Sequence, residues 1–137
     1  MTANPSRRRF VILLTVGAAA LVAGVFGWSV RARAQSKKDF SVSAHKYSYK
    51  VEGSDKPEIR VQEGDLVRIT FSAEDVPHSF TIINDDHYRI MRRAEPGRPV
   101  PFEFLADKPG TFTFQCTLRT DERCKELSGT LFVAAKK

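Results

Sequence analysis

The chain has 137 residues, enough for one domain of ordinary size and short for two. Its 22 Lys and Arg against 16 Asp and Glu give +6, but five arginines and no acid fall in residues 1–34, so 17 basic residues face 16 acids in the remainder. A nearly neutral domain lacks the clustered charge that tracks phosphates, which excludes nucleic-acid binding, and 42% hydrophobic residues with 10 Phe exclude disorder.

Residues 1–34 read as an address. Ser6-Arg7-Arg8-Arg9-Phe10-Val11 leads into an Ala- and Gly-rich apolar run that ends near Val30, and Ala32-Arg33-Ala34 supplies the small residues a signal peptidase reads. The paired arginines before Phe10 resemble the twin-arginine export signal, whose substrates cross the membrane already folded. Cleavage after Ala34 would leave residues 35–39 as a polar leader. Retention would leave an anchor, since about 20 apolar residues span a bilayer, and residues 10–30 would then be the contact with the membrane. Either outcome places the domain outside the cytoplasm, in the periplasm or its equivalent.

From Phe40 onward the pattern has period two. Val67, Ile69 and Phe71 share one parity; so do His78, Phe80 and Ile82, then Val100, Phe102 and Phe104, then Phe112, Phe114 and Cys116, then Leu131 and Val133. The first stretch changes phase, from Phe40, Val42 and Ala44 to Tyr47, Tyr49 and Val51, which predicts a bulge or bend near His45-Lys46. Turn residues fall between the runs at Gly53-Ser54-Asp55, Glu63-Gly64-Asp65, Asn84-Asp85-Asp86, Glu95-Pro96-Gly97 and Lys108-Pro109-Gly110. No helical period is sustained after residue 35. These features predict an all-β, antiparallel Greek-key β-sandwich over residues 40–137.

The strand ends carry the chemistry. His78 opens one strand and Cys116 closes another, both on the core parity, so an antiparallel arrangement brings them to one pole of the sandwich. A thiol and an imidazole converging at the rim of an apolar core form a ligand-site geometry.

Several segments resemble the cupredoxins, and among them the periplasmic domain of cytochrome c oxidase subunit II. Asp75-Val76-Pro77-His78-Ser79-Phe80 resembles the first copper-ligand loop, and Glu63-Gly64-Asp65 the turn before it. Glu95-Pro96-Gly97-Arg98 resembles the Pro-Gly-Arg turn, Lys108 to Cys116 the run into the ligand cysteine, and Ser128 to Val133 the closing strand. The resemblance covers about residues 40–134 in consistent order. It implies a copper-binding β-sandwich that carries electrons or handles copper, with a redox or membrane-complex protein as its partner.

The departures restrict what it can bind. The dinuclear copper loop of that family places a second cysteine four residues after the first, a histidine four further and a methionine three further. Counting from Cys116, this chain has Thr120, Cys124 and Leu127 there. With one bridging thiolate gone, a dinuclear centre is not expected. What remains is one imidazole, His78, and two thiolates, Cys116 and Cys124, a soft set suited to a single copper ion, with Leu127 packing the axial side.

Cys116 and Cys124 are the only cysteines, and in an oxidising compartment they have a second reading as a disulfide closing the loop. Thiolate ligation and the disulfide exclude one another, because a disulfide has no thiolate to donate. Both readings, and switching between them, stay open at this level. His45 and His87 are further imidazoles, Met91 a thioether that also suits core filling, and Glu122 a carboxylate within the ligand loop. Arg89, Arg92, Arg93 and Arg98 form a basic edge that suits an acidic partner. Hydrolase and phosphate-loop motifs are absent, so electron carriage or copper binding is expected, with a metal-free structural or docking domain as the other reading.

Overall fold

The structure is a computed structural model that describes residues 35–137. Residues 1–34, read above as an export signal, lie outside the described residues, and among the described residues no helix is long and apolar enough to cross a membrane.

Two sheets face each other. The first comprises β1 (Lys37–His45), β2 (Ser48–Val51), β4 (Leu66–Ala73) and β7 (Val100–Leu105), in the order β2-β1-β4-β7. The second comprises β3 (Glu58–Gln62), β5 (His78–Ile82), β6 (Met91–Ala94), β8 (Gly110–Gln115) and β9 (Ser128–Ala134), in the order β3-β9-β8-β5-β6. Most ladders are antiparallel, as the alternation predicts. Two are parallel: β1 on β4, with Val42 opposite Phe71, and β3 on β9, with Ile59 opposite Leu131. Parallel neighbours cannot be joined by a tight hairpin, so these ladders mark where the chain crosses between sheets.

The phase change at residues 45–46 is the expected bend, made as a hairpin turn and not as a bulge. His45 pairs with Ser48 and Ala44 with Tyr49 across a two-residue loop. Residues facing each other across such a loop have opposite sequence parity, so both strands keep their apolar side inward while the numbering shifts by one. Two strands go beyond the alternations read above, β3 because its alternation runs over only five residues and β6 because it has almost none. β3 is short, with Ile59 and Val61 its buried pair, and β6 is an edge strand on which only Ala94 is buried.

The core between the sheets is aromatic. Phe80 of β5 stacks on Phe114 of β8 with centroids 4.5 Å apart, and Tyr49 meets Phe114 edge-on at 5.1 Å. Such pairs contribute about 0.5–1.5 kcal/mol each beyond their buried area. Phe114 also dictates a glycine on the neighbouring strand. A Cβ at Gly129 would lie 2.1 Å from the Phe114 ring and 2.7 Å from the Pro57 carbonyl. No side chain fits there.

Candidate metal centre

β5 and β8 run antiparallel, with Thr81 opposite Gln115, so the start of β5 and the end of β8 reach the same pole. There the ladder is extended by a side chain: the Ser79 hydroxyl oxygen accepts the Thr117 N–H at 2.8 Å. The chain leaves Cys116, circles through residues 117–123 and returns by a 3₁₀ turn, Cys124–Glu126. The Cys116 N–H donates to the Leu127 carbonyl at 3.1 Å, and the Leu127 N–H to the Cys124 carbonyl at 3.0 Å. Backbone bonds thus hold both ends of the loop against the core. His78, Cys116, Cys124 and Leu127 are each at most 1% exposed.

A ring nitrogen of His78 and the sulfurs of Cys116 and Cys124 all lie within 4.8 Å of one another. The two sulfurs are joined as a disulfide, with the Cα atoms 5.2 Å apart. The two nitrogens of His78 have different surroundings. Nε2 lies 2.7 Å from Asp75 Oδ1, whereas Nδ1 is buried with no hydrogen-bond partner. A buried polar atom left without a partner costs about 1–3 kcal/mol; Nδ1 of His45 is orphaned too, but of the two rings His78 is the one grouped with the two sulfurs, which marks it as the ligand position. Two sulfurs and one imidazole nitrogen in a dry apolar setting fit a soft ion such as copper once the sulfurs are thiolates.

Asp75 is itself held. Its Oδ2 accepts the Lys46 N–H at 2.8 Å and its Oδ1 the Val76 N–H at 2.7 Å. Partial burial pushes its pKa up, but the bonds from Lys46, His78 and Val76 outweigh burial and bring the carboxyl down to about 2. The cysteine loop reaches the same hairpin from the other side. The Arg123 guanidinium lies 3.8 Å from the Tyr47 ring centre and forks onto both Glu126 oxygens at 2.9 and 2.8 Å. Sequence reasoning gave no role in the site to Asp75, Lys46, Tyr47 or Arg123. Asp75 alone left a signal, standing three residues before His78 in the same loop.

The remaining candidates are not part of the donor group, although Glu122 lines a surface recess that Cys116 also borders. His45 is about half exposed, with Nε2 3.0 Å from Ser48 Oγ and Nδ1 3.7 Å from Glu74, and it is not part of the donor group. His87 bonds Asp107 at 2.6 Å beside the start of β8, so the length of that strand separates it from Cys116. Met91 is 65% exposed on edge strand β6, opposite Thr81 and three residues along from the partner of His78, so it does not fill the core. Glu122 is exposed and lines an open recess of about 610 Å³ with Lys46, Val76, Pro77, Thr120, Asp121 and Arg123. The basic edge is partly engaged internally: Arg92 lies over the Phe102 ring, Arg93 pairs with Glu95, and Arg89 donates to the Asp86 carbonyl.

No family model and no curated protein matches the chain. Solved structures do. The chain superposes on a chain of a heme-copper terminal oxidase dimer with a TM-score of 0.62 and 19% identity, covering 73% of this chain and 65% of that one, just under two thirds of its length. It superposes on the mixed disulfide intermediate between thioredoxin-like TlpAs and subunit II of cytochrome c oxidase with a TM-score of 0.56 and 17% identity, covering 71% of this chain and 81% of that one. Auracyanin A, a blue copper protein of Chloroflexus aurantiacus, gives a TM-score of 0.55 and 18% identity over 71% of this chain and 98% of that one. The shared architecture is the cupredoxin fold.

Proposed function

We propose that this chain is an exported cupredoxin-fold protein that binds a single copper ion through His78, Cys116 and Cys124 when the cysteines are reduced. The observation that carries this reading is the buried, unpartnered Nδ1 of His78 in a donor group with two sulfurs. Export is supported by the arginine-led segment at the N-terminus. Copper, when bound, supplies a one-electron couple. The protein's part is to hold one imidazole and two thiolates at a buried rim of the core. Leu127, fully buried where the loop closes, carries no donor atom and would pack beside a bound ion without ligating it, which would favour the reduced state.

The disulfide makes the site conditional. Opening it takes two electrons and two protons, and a dithiol reductant is oxidised to its own disulfide in exchange. The likeness to a subunit II caught in a mixed disulfide with a thioredoxin-like protein supports a partner of that chemistry, and the likeness to a terminal oxidase chain supports a redox partner in a membrane complex. The disulfide also favours a second reading, a metal-free domain stapled at its rim that serves as a docking or structural part of such a complex.

Copper titration of the reduced and the oxidised protein separates the two readings. The reduced protein is expected to take one copper(I) in competition with a coloured chelator, or to give a thiolate-to-copper(II) absorption band, and the oxidised protein to do neither. Failure of the reduced protein to bind either oxidation state overturns the copper reading and leaves the docking domain.

A further inference from the structure

The copper reading names the ligands but not what orients them, and the following inference rests on that reading. An imidazole has two nitrogens, and in its neutral form only the one without a proton can bind a metal. Something must decide which nitrogen that is. Around His78 the decision is made by the loop that precedes it.

Asp75 Oδ1 lies 2.7 Å from His78 Nε2. The same oxygen already accepts the Val76 N–H, and Oδ2 accepts the Lys46 N–H. Both of those are backbone donors, which can only give. A carboxylate engaged in this way is an acceptor at both oxygens, so the proton shared with the ring belongs to Nε2. The ring proton is thereby committed to the side facing Asp75, and Nδ1 keeps its lone pair.

The carboxylate's own position comes from a distant part of the chain. Lys46 is in the loop between β1 and β2, 29 residues before Asp75, and its N–H fixes Oδ2. Tyr47, the next residue in that loop, carries the Arg123 guanidinium, and Arg123 lies beside Cys124. One two-residue hairpin loop therefore contacts the supports of both the imidazole and the second sulfur.

We propose that Asp75, held by the Lys46 and Val76 amides, is the positioning residue that sets the His78 tautomer and so presents Nδ1 as the metal-binding nitrogen. It touches no metal; it acts through His78. Outer partners of metal-bound histidines commonly carry 10–100-fold of metal affinity, and the same scale applies to Asp75.

Nitrogen-15 NMR of the histidine rings reads the tautomer directly in metal-free protein at pH 8. The wild-type His78 ring is expected as the Nε2–H form. Asp75→Ala should lose that preference and weaken copper(I) binding by the reduced protein about 10–100-fold. Asp75→Asn keeps one oxygen acceptor and should fall between the two in both measurements, which also guards against a variant that fails to fold. An Nδ1–H ring in the wild type overturns the proposal, as does an Asp75→Ala protein with unchanged tautomer and affinity. If the wild type has the Nε2–H ring, Asp75→Ala loses it and no variant binds copper, the tautomer role stands and the copper reading fails.

Discussion

The Arg123 guanidinium lies over the Tyr47 ring, 3.8 Å from its centre, and in doing so ties the cysteine loop to the hairpin between the first two strands. The contact joins parts of the chain 76 residues apart. Because Arg123 also forks onto Glu126, it braces the 3₁₀ turn that begins at Cys124. Arg123 is more than half exposed while Tyr47 is partly buried against the core, so the stacking energy is expected toward the exposed end of the cation–π range. A double-mutant cycle with Arg123→Ala and Tyr47→Ala should give a coupling of about 0.5–1 kcal/mol in urea unfolding. A coupling indistinguishable from zero would show that the loop is held by its backbone bonds alone.

Gly129→Ala tests the core behind the site. The added methyl has no room between the Phe114 ring and the Pro57 carbonyl, and the backbone carbonyl cannot move aside as a side-chain tip can. Overpacking of this kind costs about 1–3 kcal/mol, and here the upper end is expected. The shift should appear in the urea midpoint, together with altered near-ultraviolet dichroism as Phe114 leaves its stack on Phe80.

Acid should weaken the contribution of Asp75. Its pKa in the folded protein is about 2, below the ordinary value of 3.8, so its bonds stabilise the fold fully above pH 4 or so and are lost as pH falls through about 2. Asp75→Asn should accordingly be less stable than the wild type by on the order of 1 kcal/mol at pH 7, allowing for screening of a carboxyl that is about a third exposed. That gap should close as pH approaches 2. A gap independent of pH would mean that the side chain acts through shape and not through charge.

Intact mass with and without reduction should differ by two hydrogens, reporting the Cys116–Cys124 bond. Replacing both cysteines by serine should cost about 2–3 kcal/mol, the loop-closure value for so short a ring. In the reduced protein, Cys116→Ser and His78→Ala should each lower copper affinity by more than the 10–100-fold typical of outer partners.

His45→Ala and His87→Ala should leave copper affinity within about twofold, because neither ring belongs to the donor group and losses on the outer-partner scale require contact with a ligand. A large loss in either would show that the loop rearranges on metal binding to recruit another imidazole.

The β-sandwich, its aromatic interior and the convergence of His78 with Cys116 were legible in the sequence, because side-chain parity along a strand is a local property and turn residues mark the ends of strands. So were Thr120, Cys124 and Leu127 at the positions counted from Cys116, which is a matter of residue type along the chain. The parallel ladders were not legible, since pairing depends on which distant strand completes the core. Nor was β6, an edge strand whose single buried residue leaves no alternation to read. Met91 shows the same limit: a thioether suits a ligand or a core, and only its place on that edge leaves it in solvent. The tertiary structure alone brought Lys46 to Asp75 and Arg123 to Tyr47. Those contacts join segments far apart in the chain, and no local pattern specifies where a loop lands once the sheets have packed.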